Sequence, residues 1–335
     1  MTRSKVLKVA GLTLAGLLVL GAGAAGWAYW HLDSNIKSVD INQALGDDRP
    51  AEGVRTPSAG VSESPLPTGS VNILVLGSDS RSGQENQALG GGSSTGARSD
   101  TAMVVHIDAG RKTATIVSIP RDTLVTRPSC PLKSGGSTAV AYNSMFNSAY
   151  EVGGPVCAVK TVESITDVRM DHYVEIDFAG FAKLVNALGG VTVTTDQNID
   201  DNDSHLHLAA GTHHLDGTQA LALARTRHGI GDGSDLGRIG LQQKLVKALL
   251  TQISSTNLLT DPARLYSVAD ALTGSLTTDT GLDSISELVS FGRSVQGLSA
   301  QNVRTVMMPV VIAPSDANRV VAKEPAASRL WASLR

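Results

Sequence analysis

Six arginines, two aspartates and a glutamine sit in this chain where they could handle a polyphosphate. Asp79 and Arg81 follow the apolar run Val71 to Leu76, Arg98 and Asp100 lead into Met103 to Ile107, and Arg121 with Asp122 follows Ala114 to Ile119. Much further on, Arg225, Arg227 and Arg238 bracket a Gly/Asp-rich loop, with Gln242 four residues beyond Arg238. Guanidinium forks match phosphate oxygens bidentately, and Asp is a hard oxygen ligand of the kind magnesium takes. Arg98 and Asp100 alternate and so share a strand face, while Pro120 stiffens the turn from which Arg121 projects. Arg238 and Gln242 share one helix face. Arg225 and Arg227 leave two outcomes open: they point together if their helix ends near Ala224, and diverge by about 200° if it continues.

The elements that must carry these residues follow from apolar patterning. Asn72 to Leu76 is a short continuous apolar run ending at Gly77, as in a strand buried on both faces. Residues 101–108 and 113–120 read as a hairpin turned at Ala109-Gly110-Arg111. Residues 142–150 and 156–165 read as helices separated by Gly153-Gly154-Pro155, then 172–177 as a strand, 178–188 as a helix and 190–195 as a strand. A loop from Gly211 enters a helix capped by Asp216 with Gln219 as its capping-box partner. A long amphipathic helix covers 236–253, and 303–309 reads as the last strand. Strands alternating with helices predict an α/β domain with a central mixed β-sheet flanked by helices. Residues 320–335 read as a loosely held tail.

Length and composition narrow the class. The 335 residues suffice for one large domain, and a net charge of -3 gives no reason to expect a nucleic acid partner. Arg3, Lys5 and Lys8 precede an uncharged apolar stretch, 9–30, that ends in Trp27, Tyr29 and Trp30. Its length, roughly 33 Å as a helix, and its cationic flank predict a single transmembrane helix with the N-terminus cytoplasmic and the rest outside. The rival is a signal peptide cleaved near Ala22-Gly23-Ala24. The expected organisation is residues 1–8 cytoplasmic, 9–30 transmembrane, 31–69 an extracytoplasmic linker, 70–313 the catalytic domain and 314–335 a tail.

Taken together, N-I-L-V-L-G-S-D-S-R, R-S-D-T, S-I-P-R-D-T, the stretch from Val174 to Val191 ending L-G-G-V, and L-D-G-T-Q-A-L-A-L-A-R-T-R followed by G-R-I-G-L-Q-Q resemble the LytR–CpsA–Psr family of cell-envelope phosphotransferases. The resemblance covers residues 70–310. It implies a magnesium-dependent enzyme, with manganese as the other candidate ion, that moves a glycopolymer from a polyprenyl-pyrophosphate carrier onto peptidoglycan through a phosphodiester. Its partners would be those two substrates and membrane lipid. On the matching positions it implies Asp79 and Asp100 as metal ligands, and Arg81, Arg98, Arg121, Arg225, Arg227, Arg238 and Gln242 around the pyrophosphate. Asp79, Arg81, Arg98, Asp100 and Arg121 would form the catalytic set. Two other readings are a polyprenyl-pyrophosphate phosphatase, with water as acceptor, and a non-catalytic lipid-binding or regulatory membrane protein. The carrier's tail would need an apolar groove, for which 156–165, 178–188 and 241–253 offer faces that equally well form core.

Other residues carry weaker signals. Cys130 and Cys157 lie on the outer side of the expected topology, where a disulfide is favoured over two buried thiols. His205, His207, His213 and His214 cluster without completing a zinc ligand set, and Asp171, Glu175 and Asp177 read as a solvated strand edge. Asp200, Asp201 and Asp203 resemble a partial calcium loop lacking its Gly and Glu and are left unassigned. Residues 82–97 lengthen a loop at the mouth of the site.

Overall fold

The computed structural model describes residues 23–51, 69–78, 99–132, 134–227, 235–256 and 261–335. Its centre is a mixed sheet of seven strands: β1 (Lys37–Val39), β12 (Leu276–Asp279), β7 (His172–Asp177), β2 (Val71–Ser78), β3 (Ser99–Ile107), β4 (Ala114–Ile119) and β13 (Val303–Met307), side by side in that order. β2 runs parallel to β7 and antiparallel to β3, and β3 is antiparallel to β4. Alternation explains why the apolar runs are continuous: Leu74, Leu76, Val104 and Val117 face one core, while Ile73, Met103, Ile107 and Ile116 face the other. Helix α3 (Ser148–Thr166), kinked at Gly154 before Pro155, seals the first face with Val159 and Val162. Helix α6 (Asp235–Ser255) brings Val246 and Leu250 to the second, and α8 (Ile285–Ser294) adds Phe291. The faces offered for a lipid groove thus contribute buried side chains to the core.

A smaller layer stands beside the sheet. Helices α4 (Phe178–Ala187) and α5 (Gly217–Arg225) pack with the hairpins β8–β11 (Val191–Thr195, Gly211–Leu215) and β9–β10 (Ile199–Asp201, Leu206–Leu208) around Val185, Ile199, Leu215 and Leu223. Gly217 is required there, because a Cβ would lie 2.0 Å from the Ala182 carbonyl oxygen where α4 and α5 meet. The capping box of Asp216 and Gln219 starts α5. Helix α7 (Pro262–Thr273) lies against α4 through Arg264, which donates to the Leu188 carbonyl at 2.8 Å.

Four readings of the sequence need correction. Residues 37–51 are no spacer: β1 extends the sheet, α2 (Ile41–Leu45) buries Ile41 and Leu45 in the core, and Arg49 seals against Glu163. The folded region therefore starts well before Val71. The segment 142–150 is not one helix, because β6 (Ala141–Met145) pairs with β5 (Leu124–Arg127) before α3 begins. Gly211 to Leu215 is strand rather than loop. The tail is folded: β14 (Val310–Ala313) and β15 (Asp316–Ala322) form a hairpin, and α9 (Ala326–Ala332) buries Trp331, followed by Leu334, in the main core. Residues 23–35 form helix α1, tied down where His31 and Asn35 meet Asp270. No helix of the described residues is long and apolar enough to cross a membrane, and residues 1–22 lie outside them.

Candidate active site

The carboxyl ends of β2, β4 and β7 and the start of β3 share one edge of the sheet: Ser78 is paired with both Ser99 and Asp177, and Ile119 with Ala102. Open α/β sheets place ligands beyond such strand ends. Asp100 and Thr101 stand there, and a cavity of about 270 Å³ opens between them and the α4–α5 layer. Asp100, Arg225, Arg227, Arg238 and Gln242 all line it. So do Phe178, Asp201, Asp203 and Ser204.

Each side chain is held by a local device. Arg238 and Gln242, both buried, occupy the first turns of α6. The Arg238 guanidinium donates to the Asp100 carbonyl at 3.1 Å. The Gln242 amide donates to the Thr101 hydroxyl at 2.9 Å and to the Ala224 carbonyl at 3.0 Å, linking the sheet edge to α5. Helix α5 stops at Arg225, because Thr226 turns to φ -56° and ψ 129°. Arg225 and Arg227 therefore face the same cavity rather than diverging. Arg225 also stacks over the Phe178 ring, 5.0 Å from its centre.

Arg121 reaches the site from the turn after β4. Its guanidinium bonds the Asp100 carboxylate, with Asp122 3.7 Å away. The Arg121 and Thr123 carbonyls accept from Asn147 at 3.1 Å and Phe146 at 2.9 Å, fixing that turn against the β5–β6 hairpin. Arg319 of β15 approaches Asp122 at 3.8 Å, a cation that the reading of a loose tail missed. Asp201 was missed as well, although the alternation that buries Ile199 also turns Asp201 inward. Asp79, Arg81, Arg98, His228 and the long loop 82–97 lie outside the described residues.

Asp100 suits magnesium: it is a partly exposed hard oxygen donor, and that ion takes one or two carboxylates together with phosphate oxygens and water. No group of three or more His, Cys, Asp or Glu placed to hold a metal occurs among the described residues. Away from the site, Cys130 and Cys157 are joined in a disulfide, with the buried Arg127 guanidinium 4.0 Å from both sulfurs. Glu175 is buried and accepts from the Tyr150 and Tyr173 hydroxyls at 2.6 and 2.5 Å, so it is no solvated edge. Burial, followed by the charge of Glu175, pushes the Tyr173 hydroxyl well above its usual pKa.

Comparison with known proteins gives a family and a fold. The profile of the LytR_cpsA_psr family matches residues 28–335. The chain is 32% identical over 274 residues to the cell wall biosynthesis protein LcpA of Corynebacterium glutamicum, covering 75% of this chain and 52% of LcpA. It thus spans about half the length of that relative. It is 32% identical over 245 residues to the polyisoprenyl-teichoic acid–peptidoglycan teichoic acid transferase TagU of Bacillus mycoides, covering 73% of this chain and 70% of TagU. Among solved structures, B. subtilis TagV superposes with a TM-score of 0.60 at 25% identity, covering 80% of this chain and 97% of TagV.

Proposed function

The chain belongs to the LytR_cpsA_psr family, and from that premise we propose that it transfers a glycopolymer from a polyprenyl-pyrophosphate carrier to peptidoglycan. The observation that carries this reading is the convergence of Arg225, Arg227, Arg238, Gln242 and Asp100 on one cavity at the sheet edge. The cavity, about 270 Å³, has room for a diphosphate head group. The transferase relatives point to the same substrate class.

In the proposed reaction an acceptor hydroxyl on peptidoglycan attacks the sugar-bearing phosphorus. A new P–O bond forms, the bond to the bridging oxygen breaks, and polyprenyl phosphate leaves. Arg225, Arg227 and Arg238 neutralise the charge that builds on the non-bridging and leaving oxygens. The Phe178 ring, stacked against the Arg225 guanidinium, supports it in that role. Asp100 and Arg121, bonded to one another, separate when substrate arrives, so that Arg121 turns to phosphate. Asp100, with Asp79 by resemblance, would hold magnesium, which supplies further charge neutralisation on the phosphate oxygens. In this reading Asp79 is also the carboxylate that deprotonates the acceptor. We place the domain outside the membrane, anchored by residues 9–30.

The test is full-length protein in detergent with a polyprenyl-pyrophosphate oligosaccharide and peptidoglycan, with and without magnesium chelation. Polymer on the acceptor, lost on chelation, is the expected result. Phosphate release without transfer would make the protein a hydrolase. Lipid binding without turnover, unchanged in Asp100→Ala, would make it a binding protein.

A further inference from the structure

Asp201 lines the cavity yet is 1% exposed, and both of its oxygens are used inward. Oδ1 accepts from the backbone N–H groups of Asp203 at 2.9 Å and Ser204 at 3.2 Å, closing the turn after β9. Oδ2 accepts from the backbone N–H of Arg227 at 2.8 Å, across 26 residues of chain. The Ser204 hydroxyl meets the Thr226 hydroxyl at 2.9 Å, and Thr226, wholly buried, donates back to the Ala222 carbonyl at 2.9 Å. Two bonds thus tie the β9–β10 turn to the two residues that leave α5.

Those two residues decide whether the cavity is a site. Continued as helix, Arg225 and Arg227 would point about 200° apart. In the structure Thr226 leaves the helix, and the N–H of Arg227 faces Asp201 instead of a helical carbonyl. Nothing in the local sequence L-A-L-A-R-T-R compels that exit, since it contains neither Gly nor Pro and Ala, Leu and Arg are strong helix formers. A buried carboxylate accepting a backbone N–H is a charge-assisted bond of the stronger kind. We propose that Asp201 is a positioning residue: it ends α5 at Arg225 and so aims Arg225 and Arg227 together at the cavity. Its effect on catalysis runs through Arg227, and it makes no bond to substrate. The inference rests on the pyrophosphate reading of the cavity for its functional consequence, but not for the backbone geometry.

The experiment has two arms, both on the full chain in detergent. Inorganic pyrophosphate binding is measured by calorimetry for the native protein, Asp201→Ala, Asp201→Asn, Arg227→Ala and the double variant Asp201→Ala/Arg227→Ala. Asp201→Ala weakens binding about tenfold, the scale of losing one hydrogen bond to a charged group. Asp201→Asn, which keeps one acceptor oxygen, restores part of it, and the double variant binds no worse than Arg227→Ala alone. Additive losses in the double variant, or unchanged affinity in Asp201→Ala, would overturn the proposal and leave Asp201 a turn-closing residue only. The second arm needs no ligand: amide hydrogen exchange at Arg227 is slow in the native protein and accelerates in Asp201→Ala. Unchanged exchange there refutes the positioning role directly. Native protein that shows this protection yet fails to bind pyrophosphate refutes the reading of the cavity and leaves the positioning of Arg227 standing.

Discussion

Arg49 with Glu163 and Arg121 with Asp100 are the same chemical pair in two different situations. The first is closed, its side chains 1% and 2% exposed, and the second is open, at 16% and 25%. Arg49 donates to both Glu163 oxygens at 2.6 to 3.1 Å and to the Met170 carbonyl at 2.7 Å, while the Met170 N–H donates to Glu163 at 2.9 Å. Every strong group there already has its partner, and no ligand could improve on it. Arg121 and Asp100 meet at the rim of the cavity, where either can exchange its partner for a phosphate oxygen or a cation. A closed pair holds the N-terminal segment to α3, and an open pair, on the proposed reading, can take substrate. Burial separates the two roles.

Breaking the closed pair has the largest expected effect on stability. Glu163→Ala strands the Arg49 guanidinium in the core and costs about 3–5 kcal/mol, read from the urea unfolding midpoint. A loss below about 1 kcal/mol would mean that the pair is no clamp. At the open pair the order reverses. Arg121→Ala lowers the transfer rate about 100- to 1,000-fold, the scale of losing one transition-state donor, while stability stays within about 1 kcal/mol. Equal losses of stability at the two pairs would erase the distinction.

A subtler test replaces both partners with apolar residues of similar size. Arg49→Met with Glu163→Leu is expected to recover part of the loss seen in Glu163→Ala, since it strands no charge but leaves the Met170 N–H and carbonyl without these partners. Arg121→Met with Asp100→Leu folds too but has no transferase activity. The smallest effect is on pH dependence and comes from outside both pairs. Burial, partly offset by the charge of Asp108, holds the His106 pKa below its ordinary 6.5. The unfolded chain then binds the proton more readily, so stability drops as pH falls below about 6.5. His106→Gln removes that part of the slope, measured as the difference in urea midpoint between two buffers on either side of the transition.

Much of this architecture was legible. The runs at Val71, Met103 and Ala114 are mostly apolar on both alternating faces because both sheet faces are covered, and they are strands as read. The cap at Asp216 and the shared face of Arg238 and Gln242 are local signals with local causes. Strand β6 was not legible, because Ala141 to Met145 is a strand only through pairing with β5, Ala141 against Arg127 and Met145 against Leu124. Nor was the C-terminal segment: Trp331 and Leu334 announce a buried anchor only once the core that receives them exists.

Residue types and order by themselves determined the mixed α/β core, the family motifs and the arginines and aspartates from which a site could be made, because those depend on patterns a few residues long. Tertiary structure alone decided that α5 ends at Arg225, that the Asp201 carboxylate meets the Arg227 N–H, that Arg319 approaches Asp122, and that residues 37–51 belong to the domain. The physical reason is distance along the chain: each of these depends on a hydrogen bond, an ion pair or a strand pairing to a partner tens to hundreds of residues away, which no local window contains.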